Sequence, residues 1–333
     1  MSDKPVLKKS DFQSDQAIRW CPGCGDYAIL AQTQKIFPEI TEKKEDTVFI
    51  SGIGCSSRFP YYMNTYGFHT IHGRAPTVAS GLKLANPDLS VWMVTGDGDG
   101  FSIGGNHLIH LLRRNFNINI MLFNNRIYGL TKGQYSPTSE QGKVTYSTPS
   151  GSLDYPFKPT QLALGAQGSF VAKTIDKELK HLQSMIRRAH DHNGTSFIEI
   201  YQNCNIFNDG AFEEYTSADK FDNVIEVKHG EPMIFAKGKK GIKLDGFKAV
   251  VVDMENHSTD DLLVHDETNL DLAHIIANWT NHPILPEPIG VIYSVDKPTY
   301  NSEMVSQVES AVKAKGVGKV QDLLNAGDTW TVK

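Results

Sequence analysis

The stretch that decides the fold is VWMVTGDGDGFSIGGNHLIHLLRRNFNINIMLFNNRIYGLTKGQ, running from Val91 to Gln134. It contains two apolar runs, LSVWMVTG (Leu89 to Gly96) and NINIMLFNN (Asn117 to Asn125), each ending in a polar knot. Between them GGNHLIHLLRRNF has the apolar spacing of a helix. Strand, helix and strand follow in order. Outward from this centre, TVFISG (Thr47 to Gly52) and TSFIEIYQN (Thr195 to Asn203) have the same strand texture. DYAILAQTQKIF, APTVASGLKLA and DKELKHLQSMIRRAHDHNG read as helices, the last predicted to stop at Gly194. The alternation predicts an α/β fold with a doubly wound, mostly parallel sheet.

From about Tyr215 the texture becomes turn-rich and strand-like, and it closes on a helical pattern near SEMVSQVESAVKAKG. Residues 1–216 are therefore expected to form one domain and 217–333 a C-terminal extension or small subdomain. With 333 residues, 40% hydrophobic and 21% charged, the chain can bury a large core. No apolar run approaches the roughly 20 residues that cross a bilayer, and the opening MSDKPVLKKSDFQSDQ lacks the apolar core of a secretion signal. The expectation is a cytoplasmic protein with no membrane contact. A net charge of −5 offers no basic field for a phosphate backbone, so no nucleic-acid partner is expected.

In open α/β sheets ligands bind beyond the carboxyl ends of the strands, where both knots fall. Glycines there admit an anion close to backbone N–H groups, but an aspartate beside a phosphate repels it unless a cation lies between. Asp97 thus implies a metal. Asn125, 28 positions later, can add a neutral oxygen, and the irregular RIYG after it can turn a backbone carbonyl inward. An all-oxygen set suits Mg²⁺. The competing reading is that Asp97 only caps a helix. Other glycine motifs fail: there is no G-x-x-x-x-G-K-[ST], Phe101 stands where the third glycine of G-x-G-x-x-G belongs, and Leu108 occupies the EF-hand's glutamate position.

The chain has four cysteines, Cys21, Cys24, Cys55 and Cys204. In a reducing compartment C-x-x-C with two further cysteines reads as a metal or cluster site before it reads as disulfides. Spacing alone separates neither zinc from iron–sulfur nor either from plain core cysteines. Zinc Cys₄ sites more often bring two C-x-x-C knuckles close in sequence.

Taken together, GDGDG and NN, 30 residues from Gly96 to Asn125 inclusive, resemble the thiamine diphosphate motif. With WCPGCGDYAIL, GIGCSSRFP, HGRAPTVASGLKLANP and NNRIYGLTKGQYSPTS, the chain from about Asp11 to Gly210 resembles the β subunit of 2-oxoacid:ferredoxin oxidoreductases, especially the 2-oxoglutarate type. The resemblance implies the thiamine diphosphate-binding fold, with Mg²⁺ held by Asp97, Asn125 and the carbonyl of Ile127. It implies that Ile53, Gly54, Cys55 and Ser56 touch thiamine, as does His72, and that Gly98, Asp99, Gly129 and Leu130 line the diphosphate. Lys132 resembles a lysine facing the 2-oxoacid, against the plainer reading of a solvated loop lysine. All four cysteines map onto the ligands of a [4Fe–4S] cluster.

The implied reaction is oxidative decarboxylation of a 2-oxoacid with coenzyme A, giving acyl-CoA and CO₂, or its reverse. Electrons leave singly through the cluster to ferredoxin. A thiamine enzyme also needs a glutamate on the cofactor's aminopyrimidine, and no motif supplies one; in the family it sits on the α subunit. The chain is therefore expected to be half of a catalytic unit. Most of the substrate pocket would come from that partner, so pyruvate and branched-chain 2-oxoacids stand beside 2-oxoglutarate. A thiamine-binding subunit with structural zinc is the alternative of another class.

Overall fold

The computed structural model describes residues 6–332; the expected domain ends at Met1 and Lys333, and the first residues of the opening segment, lie outside the described residues. In chain order the strands are β1 (Thr47–Ser51), β2 (Tyr66–His69), β3 (Ser90–Gly96), β4 (Asn119–Asn124), β5 (Phe170–Ile175), β6 (Ser196–Tyr201) and β7 (Val224–Val227). They continue with β8 (Ile234–Phe235), β9 (Lys240–Asp245), β10 (Lys248–Asp253) and β11 (Glu287–Ser294). One eight-stranded sheet has the order β2-β1-β3-β4-β6-β5-β11-β7, and β10-β9-β8 form a small second sheet. Every pairing in the large sheet is parallel except β11 with β5.

The parallel centre follows from the sequence. Each central strand is apolar on both faces, so alternate residues enter different cores. Ile120 and Leu122 of β4 join Val48, Ile50 and Met93 under the helices Ala75–Ala85 and Gly105–Arg114. Met121 and Phe123 join Phe49, Trp92 and Val94 under the helices Asp26–Ile40 and Leu179–Asp191. Each such side chain stabilises the fold by roughly 1.5–3 kcal/mol on burial. A helix layer on both faces leaves the carboxyl ends of β1, β3 and β4 open at one rim.

Three features depart from the sequence reading. The helix expected to stop at Gly194 ends at Asp191, because His192 turns extended and its Nε2 reaches the buried Ser169 hydroxyl at 2.8 Å. β5 lies inside the sheet although Lys173 interrupts its apolar run. That lysine is fully buried, with Nζ 2.6 Å from Glu287 and 3.5 Å from Glu199. The segment beyond Ser217 builds the small sheet and also lends β7 and β11 to the large one. Its long helix, Tyr300–Lys315, lies where the pattern placed it, and a short helix, Val320–Leu324, follows that the pattern did not show.

Candidate active site

A cleft opens at the rim beyond β1, β3 and β4. Its walls are Ile53 to Ser56, His72, Gly96 to Asp99, Phe123, Asn125 and Ile127 to Thr131. Both polar knots and the IGCS loop, distant in sequence, thus share one space.

Asp97 is the first residue of the short helix Asp97–Phe101, whose N-cap is Gly96, so it is not the cap. Its Oδ2 accepts hydrogen bonds from the hydroxyls of Ser136 and Thr138, each at 2.5 Å. Burial pushes the Asp97 carboxyl up, and these two hydroxyls pull it back down. The Thr138 hydroxyl also lies 2.9 Å from Asn124 Oδ1, and Asn124 Nδ2 donates to Glu199 at 2.8 Å. Asn125 Oδ1 accepts from the Ile127 N–H at 3.1 Å, folding RIYG into a turn in which Arg126 is left-handed, φ 56°. The Asn125 carbonyl is tied to Asn208 Nδ2 at 2.9 Å.

Asp99 faces the cleft but spends its carboxylate inside the protein. Oδ1 accepts from the N–H groups of Ile53 at 3.1 Å and Gly73 at 2.7 Å, and from His72 Nδ1 at 2.5 Å. Oδ2 accepts from the Thr95 hydroxyl at 2.7 Å. Only glycine fits at position 52, since a Cβ there would stand 1.8 Å from Asp99 Oδ2. Asp99 therefore clamps the IGCS loop and the HGR loop to β3, and it fixes His72 with Nδ1 as donor. Tyr128, which the motifs did not single out, donates its hydroxyl to the Gly98 carbonyl at 3.0 Å.

All four cysteines are free thiols; Cys21 is exposed and the others half-buried. A Cβ on Gly129 would lie 3.5 Å from Cys204 Sγ and 3.7 Å from Cys55 Sγ, so both sulfurs border one cleft residue. Burial first, then the Asp26 carboxylate, then the Cys204 and Cys21 sulfurs raise the Cys55 thiol to about 12. Burial and Asp26 push Cys24 up as well. Asp26, fully buried, is itself pushed up to about 7, chiefly by desolvation. Trp20 Nε1 holds the Cys55 carbonyl at 2.7 Å, and Gln202 Nε2 lies 3.1 Å from Cys24 Sγ. Among the described residues no three His, Cys, Asp or Glu side chains converge on a single-ion position.

Lys132 stands apart. It is exposed, sits at φ 75°, anchors only by its N–H on the Gly129 carbonyl at 3.0 Å, and does not line the cleft. The residues that sequence reasoning missed are Tyr128, Ser136, Thr138, Glu199, Asp26 and Gln202. The hydroxyl-rich SPTS run was the one available signal.

The donor chemistry fits the implied cofactors. Asp97, Asn125 and the Ile127 carbonyl are an oxygen set at a glycine-rich helix start, suited to a hard cation and a diphosphate. Ser56, in the cleft wall, has a buried hydroxyl with no protein partner, available to a ligand. The half-buried thiols of Cys24 and Cys55, which resist ionising alone, fit a positively charged iron core.

Comparison with known proteins gives the family of the chain. Residues 52–200 match the family described as "Thiamine pyrophosphate enzyme, C-terminal TPP binding domain". The chain is 52% identical to 2-oxoglutarate oxidoreductase subunit KorB of Mycobacterium tuberculosis, across 99% of this chain and 90% of that one. The chain belongs to the family of 2-oxoglutarate:ferredoxin oxidoreductase β subunits. The 2-oxoglutarate synthase subunit KorB of Archaeoglobus fulgidus is 40% identical over 56% of this chain and 69% of its own length. A solved structure, 2-oxoglutarate:ferredoxin oxidoreductase from Magnetococcus marinus with 2-oxoglutarate, coenzyme A and succinyl-CoA bound, superposes with a TM-score of 0.78. It is 32% identical and covers 98% of this chain and 97% of that one. As a member of this family the chain is a subunit of a thiamine diphosphate-dependent oxidoreductase with the mostly parallel α/β fold. Among the described residues no helix is long and apolar enough to cross a membrane.

Proposed function

We propose that the chain is the thiamine diphosphate- and cluster-bearing half of an enzyme that oxidatively decarboxylates 2-oxoglutarate with coenzyme A and passes the electrons to ferredoxin. The observation that carries this reading is Cys55: it lines the cleft and borders Gly129 together with Cys204. Cofactor cleft and cysteine group share a wall, so a cluster bound there would lie beside the site of oxidation. When bound, thiamine diphosphate supplies the electron sink for decarboxylation. Asp97, Asn125 and the Ile127 carbonyl would hold Mg²⁺ against its diphosphate, with Gly98, Gly129 and Leu130 alongside. Ile53, Gly54, Cys55 and Ser56 would lie against its thiamine end. His72, held by Asp99, keeps Nε2 free for the cleft. Cys21, Cys24, Cys55 and Cys204 would ligate the [4Fe–4S] cluster.

No glutamate is among the residues lining the cleft. Beside it runs an open groove of about 980 Å³ that includes Tyr135, Tyr155 and Phe157. Tyr155 and Leu153 next to it are 82% and 85% exposed. Large apolar side chains exposed at the mouth of a cofactor cleft fit a surface that the α subunit covers. Beyond Ser217, the segment supplies sheet-closing strands. The test is dye or ferredoxin reduction by the complex of this chain and its α subunit across 2-oxoglutarate, pyruvate and branched-chain 2-oxoacids. The proposal expects an iron-bearing complex with highest kcat/KM on 2-oxoglutarate. A complex whose cysteines hold zinc, with no dye reduction, would overturn it.

A further inference from the structure

Gln202 sits directly after β6, with its N–H on the Asn124 carbonyl at 2.9 Å, and is 1% exposed. The end of β4 thus anchors the main chain at this residue. Its Nε2 lies 2.7 Å from the Asn203 carbonyl and 3.1 Å from Cys24 Sγ. A main-chain carbonyl only accepts, so the amide nitrogen, not the oxygen, must face it. The second N–H then points at sulfur. Among the described residues this is the one side-chain nitrogen directed at any of the four cysteine sulfurs. The Gln202 Oε1, buried and without a partner, makes the orientation costly in itself.

We infer that Gln202 tunes the iron–sulfur cluster: its Nε2–H donates to the Cys24 sulfur when that thiolate ligates iron, and this raises the cluster's reduction potential. The inference rests on the proposed [4Fe–4S] reading. A cluster that takes up one electron, with no bond broken, gains one negative charge spread partly over its thiolate sulfurs. A donor on such a sulfur stabilises the reduced form more than the oxidised one, and hydrogen bonds to sulfur are among the factors that set these potentials. Cys21, exposed at the surface, has no such donor. The hydrogen bond is on a half-buried sulfur and comes from a buried amide, where the lowered dielectric strengthens it.

The experiment compares the α/β complex carrying the natural chain with Gln202→Leu and Gln202→Glu, purified anaerobically. Iron and sulfide are counted, and the midpoint potential is read by titration monitored by electron paramagnetic resonance. Gln202→Leu removes the donor, and Gln202→Glu replaces it with an isosteric acceptor. Both should retain iron and move the midpoint to more negative values, by about a tenfold change in the one-electron equilibrium, or 59 mV. The glutamate variant should move at least as far, because it adds negative charge. Iron-loaded variants with midpoints equal to the natural chain's would overturn the inference and leave the cluster reading intact. Loss of iron in both variants would make Gln202 a requirement of assembly and equally overturn a tuning role. An iron-free natural complex would instead remove the cluster reading, and this inference with it.

Discussion

The two poles of the cleft are built differently. At the Asp97 pole the protein has arranged its groups in advance: Asp97 takes two hydroxyls, Asn125 is folded on itself, and Asp99 ties two loops to β3. At the cysteine pole four free thiols stand near one another with one sulfur exposed and no single-ion geometry among the described residues. Ordered hydrogen bonds can hold oxygen ligands in place before metal arrives. Half-buried thiols are not readily held as thiolates without a cation, so under the proposed reading that pole would take its final form only once an inorganic core is bound. The first pole should respond to substitution as a damaged site, the second as a failed assembly.

The largest contrast should come from Asp97→Ala. It removes the charge that holds the cation, so Mg²⁺-dependent affinity for thiamine diphosphate should fall by more than the 10–100-fold typical of losing an outer partner. Calorimetric titration on the folded variant checks this, and an unchanged dissociation constant would remove Asp97 from the metal site. Iron content should not change, which keeps the poles separate.

Cys204→Ser should do the reverse. Serine is a harder and poorer ligand for iron, so iron per chain and the brown absorption should drop while thiamine diphosphate affinity stays within about threefold. Retention of a full iron complement with natural rates of dye reduction would contradict the assignment.

A smaller effect is expected of Thr138→Val, which keeps shape and deletes the hydroxyl between Asp97 and Asn124. Metal affinity should weaken roughly tenfold, the lower end of the outer-partner range. An unaltered Mg²⁺ requirement would show that the prearrangement at this pole is not needed.

The same contrast explains what the sequence disclosed. The meeting of Asp97 and Asn125 in one cleft was legible because strand ends are local patterns: GDGDG and NN each close an apolar run, and the parallel sheet puts neighbouring run ends at one rim. The four central strands were readable for the same reason. β5 was not, because Lys173 breaks its pattern and is tolerated only through Glu199 and Glu287, the latter on β11. A buried ion pair between distant segments leaves no periodic trace. Ser136 and Thr138 reach Asp97 from about 40 residues away along a loop without regular structure. Asp99, expected to line the diphosphate, does line the cleft, but its four hydrogen-bond partners, which no motif announces, also make it a clamp. Lys132 carried a role by resemblance alone, and its exposed position outside the cleft leaves the 2-oxoacid contact without support from this chain.

The central claim is that this chain holds cofactor and cluster but not a complete active site. The most direct test measures 2-oxoglutarate-dependent dye reduction by the purified chain loaded with thiamine diphosphate, Mg²⁺ and iron, before and after addition of the α subunit. With no glutamate lining the cleft, the chain alone should bind its cofactors yet reduce no dye above background, and the α subunit should restore turnover. Turnover by the chain alone at the rate of the complex, with no partner detectable by mass spectrometry, would contradict the account.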